Sequence, residues 1–189
     1  MSRFLIVIFY LISFFIGGYA QASQQWLLLA EKSNLDFTLS STLHEVNGNS
    51  QKVTGILEQN FSSLRGFVDV DVLGLTTHNP ARDRDMYRMF DSSIFPEIHF
   101  VFNDTDFTRI LKYHDGDIKF SGLMTIHNIS HQLSFVSKGH MQGDMLVCEG
   151  NMLIHLKEYS LKPPSVLWFI HVKDEVLVKY HMVFIKKEG

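Results

Sequence analysis

Hydrophobic and polar residues take turns along most of this chain, and the turn-taking has a period of two. Leu35, Phe37 and Leu39 alternate with Asp36, Thr38 and Ser40, and Val68, Val70 and Val72 with Asp69 and Asp71. Ile98, Phe100 and Phe102 follow, offset by His99 and Asn103, and then Ile118, Phe120, Met124 and Ile126 against Lys119, Ser121 and Thr125. Leu133 and Phe135 oppose Gln132 and Ser134; Cys148, Met152, Ile154 and Leu156 oppose Glu149, Asn151 and His155. The last two runs are Val166, Trp168, Ile170 and Val172, then Val176, Val178, Tyr180, Met182 and Phe184 with Lys179 and His181 between them. Side chains on a strand point to opposite faces in succession, so each run predicts a strand with one face in a core and one in water. Many such strands with turn residues between them predict an antiparallel sandwich or barrel.

The turn signals are Asn47-Gly48, Asp115-Gly116 and Gln142-Gly143, with Asn128-Ile129-Ser130 turning the chain between two strands. One segment departs from the pattern and predicts a helix over residues 80–90. Asn79 is placed to cap it, Pro80 suits the first helical position, and Asp83 and Asp85 favour the positive end of its dipole.

The amino terminus has a different character. Arg3 precedes an apolar run, Phe4–Ile16, that is shorter than the roughly 20 residues of a spanning helix. Ala20-Gln21-Ala22 then has the small-x-small form of a signal-peptidase site, so residues 1–22 read as a signal peptide and residues 23–189 as the mature domain. The rival reading is an uncleaved anchor extended by Gly17, Gly18 and Tyr19. No cysteine stands near the cleavage site, which argues against a bacterial lipoprotein. Export makes the expected location periplasmic or secreted, with no stable membrane insertion after cleavage.

The whole chain has 17 basic and 20 acidic residues; losing Arg3 leaves 16 against 20, a formal charge of −4. That balance gives no footprint for nucleic acid. Cys148 is the single cysteine, so no internal disulfide forms, and a buried, inert thiol is expected. Catalytic constellations are lacking: there is no Gly-x-Ser-x-Gly elbow and no phosphate-cradling glycine loop, and His44-Glu45 runs on into Val46-Asn47-Gly48, which breaks the zinc-helix motif. His127 and His131 have a spacing that aligns metal ligands on a helix, but they flank a predicted hairpin turn, so neither a metal nor any other cofactor is expected.

The segment Leu75–Phe100, LTTHNPARDRDMYRMFDSSIFPEIHF, resembles the signature of the YceI-like family of exported lipid-binding barrels, through Thr76, Thr77, Asn79, Arg82, Asp83, Phe95, Pro96, Ile98 and Phe100. Gly122–Phe135 resembles the family's hairpin, and Lys162–Phe184 its closing strands. The likeness runs from about Ser33 to Lys187. It departs at Lys32-Ser33, where many relatives carry His-Ser, so no role for that histidine is carried over. The resemblance implies an all-β fold, an antiparallel eight-stranded lipocalin-like barrel with one short α-helix, whose relatives hold a polyisoprenoid or similar amphipathic lipid and often pair as homodimers.

On that basis the inward residues Phe37, Val70, Phe100, Phe102, Phe120, Met124, Phe135, Met152, Ile154, Trp168, Tyr180 and Met182 are the candidate ligand-binding set, and no residue is assigned a catalytic role. Methionines adapt to irregular apolar surfaces and aromatic rings form flat walls. Arg82, Arg84, Arg88 and Lys112 are candidates to meet an anionic head group, although Arg82 and Asp83 read first as architectural. The alternatives are a packed barrel acting as a structural or interaction module, and a metal-dependent hydrolase.

Overall fold

The computed structural model describes residues 23–41, 45–162 and 172–188. The expected signal segment, Trp168 and the run Val166–Ile170 lie outside the described residues. Strands β1 (Gln24–Leu28), β2 (Asn34–Ser41), β3 (Glu45–Ser50), β4 (Val53–Asn60), β5 (Ser63–Asp71), β6 (Glu97–Asp106), β7 (Asp115–Ile126), β8 (Ile129–Gln142), β9 (Met145–His155) and β10 (Val172–Lys186) form one antiparallel sheet. β10 pairs with both β9 and β1, which closes the sheet on itself. Two barrel strands are interrupted: β1 and β2 lie in series along β10, and β3 and β4 in series along their partners, so the ten segments make a closed barrel of eight.

The break between β1 and β2 is filled by a 3₁₀ turn, Ala30–Lys32, and sealed by Ser33. Its buried hydroxyl donates to the Leu29 carbonyl at 2.8 Å and accepts from the Val183 amide at 3.0 Å. Without those two bonds, interrupting the ladder would strand buried backbone groups.

Alternation works as the sequence predicts. β7 alternates exposed and buried almost without exception, putting Ile118, Phe120, Met124 and Ile126 inside. Trp26, Leu64, Phe107, Ile110, Ile118 and Leu146 are all buried within the core. A second helix, α2 (Thr108–Tyr113), seats Ile110 in that core; it was not expected from the sequence.

The predicted helix is present as α1 (Pro80–Met89), at the opposite end of the barrel from α2. Asn79 Oδ1 accepts from the amides of Ala81 at 3.1 Å and Arg82 at 3.2 Å, the capping role expected of it. Asp83 is buried and accepts from the Thr76 hydroxyl at 2.9 Å, the Thr77 amide at 2.8 Å and the Thr77 hydroxyl at 2.6 Å. Burial works to raise its pKa, but these donors outweigh burial and hold the carboxyl below its ordinary range. Tyr87 adds a bond from its hydroxyl to the Leu75 carbonyl at 2.7 Å, and Thr76 exchanges backbone bonds with Asn49 of β3. The architectural reading of Asp83 therefore holds.

Two turn expectations fail. Asn47-Gly48 lies inside β3, where Gly48 pairs with Phe37. A Cβ at Gly48 would stand 2.2 Å from Phe37 Cζ and 2.6 Å from the Thr76 carbonyl oxygen, so the glycine serves close approach of a ring rather than a turn. Asp115-Gly116 opens β7 after α2 rather than joining two strands. Gln142-Gly143 does mark a hairpin: Gln142 pairs with Met145 and Gly143 takes φ +61°. Two further two-residue turns are Phe61-Ser62 between β4 and β5, with Phe61 at positive φ, and His127-Asn128, both at positive φ and one position before the expected segment.

Candidate functional site

The barrel is hollow toward α1. A cavity of about 440 Å³ is walled by Phe37 and Leu39 of β2, Val70 of β5, Ile98 of β6, Met124 and Ile126 of β7, Met152 and Ile154 of β9, and Val176 and Val178 of β10. Helix α1 forms its remaining side with Ala81, Arg82, Asp85, Met86, Met89 and Phe90. Such a volume falls in the range of small-molecule pockets, about 300–1,000 Å³. Deeper in the barrel is a second space of about 90 Å³, lined by Leu57, Val68, Phe100, Phe102, Phe120, Phe135, Cys148, Tyr180, Met182 and Phe184. The two share Leu35, Val70, Ile98 and Met124 in their walls, so the narrow space adjoins the wide one.

In the wide cavity, polarity is confined to one end. Thr77, Asn79, Arg82 and Asp85 are the polar side chains of the wide cavity, and all four belong to α1 or to the segment leading into it. Thr77 is committed to Asp83, Asn79 to the helix cap, and Asp85 to a pair with Arg88. Arg82 is half-buried and makes no ion pair among the described residues. Of the other basic candidates, Arg84 is exposed, Arg88 is spent on Asp85, and Lys112 sits on α2 at the far end, over the Tyr113 ring at 4.9 Å.

Eleven of the twelve candidate residues line this interior. Phe37, Met152 and Ile154 wall the wide space; Phe100, Phe102, Phe120, Phe135, Tyr180 and Met182 wall the narrow one; Val70 and Met124 wall both. Trp168, the twelfth, lies outside the described residues. Sequence reasoning placed Arg82 of α1 at the site but missed the helix's apolar wall, although Met86, Met89 and Phe90 carry a signal for it, being spaced three and four apart on one helix face.

The deep titratable groups stay neutral. Burial pushes the Cys148 thiol up to about 12, and it likewise pushes the Tyr180 hydroxyl up to about 12, with Ser137 offsetting only part of either effect. Tyr180 lies across Gly150, where a Cβ would meet its hydroxyl at 2.4 Å. Three strand histidines of outward parity pair with carboxylates: His99 with Asp69, His181 with Glu149 at 2.6 Å, and His155 with Asp174 at 4.0 Å. His127 and His131 diverge, the first to Asp91 at 3.0 Å and the second to the Glu158 carbonyl at 2.9 Å.

Known proteins share this architecture. A polyisoprenoid binding domain from Saccharophagus degradans, implicated in plant cell wall breakdown, superposes with a TM-score of 0.73 at 14% identity, covering 86% of this chain and 98% of that one. BcnA from Burkholderia cenocepacia gives 0.69 at 15% identity, over 82% and 98% of the two chains. The YceI protein of Campylobacter jejuni gives 0.60 at 14%, over 78% and 88%. At such identities these likenesses speak for the fold. No curated protein matches the sequence. The YceI-like domain model, however, matches residues 26–184, from the first barrel strand to the last, and so this chain belongs to the YceI-like family.

Proposed function

We propose that this protein is an exported, non-catalytic carrier of an isoprenoid or similar amphipathic lipid, held with its tail in the barrel and its polar end at α1. The observation that carries this reading is the polarity of the cavity: an apolar interior of about 440 Å³ adjoins a narrower apolar space, and its polar side chains cluster at one end. Burying a methylene is worth about 0.8 kcal/mol, so a long hydrocarbon is driven strongly out of water and needs such a shelter to cross an aqueous compartment. The description of the Saccharophagus degradans neighbour as polyisoprenoid binding supports the same class of ligand. The cavity offers little to a catalytic reading, since its deep thiol and phenol are held protonated and its one carboxylate, Asp85, is paired with Arg88. Export is supported by the apolar run and cleavage-like Ala20-Gln21-Ala22 of the first 22 residues, and among the described residues no helix is long and apolar enough to cross a membrane.

Organic extraction of the purified mature protein, followed by mass spectrometry, tests this reading. A stoichiometric prenyl or related lipid is the expected result; an empty protein that also fails to take up an added prenyl alcohol contradicts it. Native mass spectra of the same sample report whether the carrier is a homodimer, the assembly the family resemblance implies.

A further inference from the structure

The interior does not keep its width. Four phenylalanines on the adjacent strands β6, β7 and β8 form a closed cycle of contacts on one side of the barrel: Phe100 to Phe102 at 5.8 Å between centroids, Phe102 to Phe120 at 4.8 Å, Phe120 to Phe135 at 5.5 Å, and Phe135 back to Phe100 at 5.3 Å. Tyr180 extends this belt to β10, edge-on to Phe135 at 5.8 Å. None of the five rings touches the wide cavity, and all five line the narrow one. The belt therefore marks the level at which the interior falls from about 440 Å³ to about 90 Å³.

An apolar cavity of about 150 Å³ accommodates benzene, which sets a scale of about 25 Å³ per non-hydrogen atom. On that scale the wide cavity takes about 18 such atoms and the narrow one about 4, close to a single isoprene unit. Building on the carrier reading above, we infer that the belt of Phe100, Phe102, Phe120, Phe135 and Tyr180 is a length ruler, which selects isoprenoid tails of about 20 carbons and stops longer ones.

Rings set this limit better than aliphatic side chains. They are rigid and brace one another in edge-on and tilted contacts, so none swings aside without losing its neighbours. Removing one phenyl ring opens a void of about benzene size, about 150 Å³, enough to admit at least one more isoprene unit.

Prenyl alcohols of about 10, 15, 20, 30 and 40 carbons, titrated into the full-length mature protein and its variants and followed by native mass spectrometry, test the ruler. Each methylene that reaches apolar space strengthens binding about fourfold, so affinity in the parent protein should climb steeply to about 20 carbons and then level off. In Phe120→Ala the limit should move out by about one isoprene unit, so that the 30-carbon alcohol binds more tightly than the 20-carbon one, as it does not in the parent. Phe135→Leu, a milder change at a half-buried ring, should move the limit in the same direction and decides the matter if Phe120→Ala does not fold. Parent affinity rising undiminished to about 40 carbons, or a limit unmoved in the folded variants, overturns the ruler while leaving the carrier reading intact. Uptake at no length overturns both.

Discussion

Asp83 joins the fold to the cavity, and replacing it gives the sharpest energetic prediction. Its carboxylate accepts three hydrogen bonds from Thr76 and Thr77, which pin the first turn of α1 to the segment bridging β3. In Asp83→Ala the Thr77 amide and hydroxyl lose their acceptor inside the protein. Each buried donor left unpaired costs about 1–3 kcal/mol, and bonds to a charged acceptor lie at the upper end, so a total loss of about 3–5 kcal/mol is expected. Asp83→Asn retains one acceptor in the same shape and should lose about 1–2 kcal/mol. The sign with pH follows from the lowered pKa. Above the ordinary value of 3.8 the carboxylate is ionised in folded and unfolded states alike and its contribution is complete. As pH falls through 3.8 the unfolded chain takes up the proton first, and the contribution fades until the lower folded pKa is passed. Urea unfolding followed by the fluorescence of buried Trp26 reads both effects. Asp83→Asn should show a flatter acid limb than the parent, because its side chain has no proton to take up. A loss below about 1 kcal/mol in Asp83→Ala, or parallel acid limbs for Asp83→Asn and the parent, would refute the reasoning.

Three further outcomes are expected. Phe120→Asp places a charge within the ring of phenylalanines and should abolish lipid uptake; retained uptake by the folded variant, measured by native mass spectrometry, shows that this face does not line the site. Val178→Trp, on β10 between Phe37 and Met152, adds seven non-hydrogen atoms to the wide cavity and should weaken lipid binding by more than about 10³-fold, with the melting temperature unchanged or raised; unaltered affinity places the ligand elsewhere. Cys148, its pKa pushed to about 12, should resist alkylation by iodoacetamide at neutral pH until the chain is unfolded, and rapid labelling of the native protein contradicts its burial.

The sequence revealed the barrel because burial on one face imposes a period of two, and that period survives in β5, β6, β7, β9 and β10. It did not reveal β1, β3 or β4, which are short or contain glycines whose role is set by distant partners. Gly48 is the clearest case: beside asparagine it has the composition of a turn, and only the ring of Phe37 lying over it shows why a strand needs it. Helix α2 escaped notice because it is six residues long and its N-cap, Phe107, offers no side-chain bond. The candidate site was legible where it belongs to strands, since parity alone assigns Phe100, Phe120 and Tyr180 to the interior. It was not legible where tertiary packing brings α1 over the opening, because the local pattern of Met86, Met89 and Phe90 shows an apolar face without showing what that face covers. Nor does parity reveal that the rings touch, which is a property of register between β6, β7 and β8.

Methyl resonances of methionine provide the most direct test of where the lipid sits. Met86 and Met89 look into the wide cavity from α1, Met124 belongs to both spaces, Met152 faces the wide one and Met182 the narrow one, whereas Met145 lies by Lys32 outside them. With methionine methyl groups labelled and a prenyl alcohol added, the signals of Met86, Met89, Met124, Met152 and Met182 should move together while that of Met145 stays in place. Shifts confined to Met145, or none at a lipid concentration that saturates binding, would contradict an interior site.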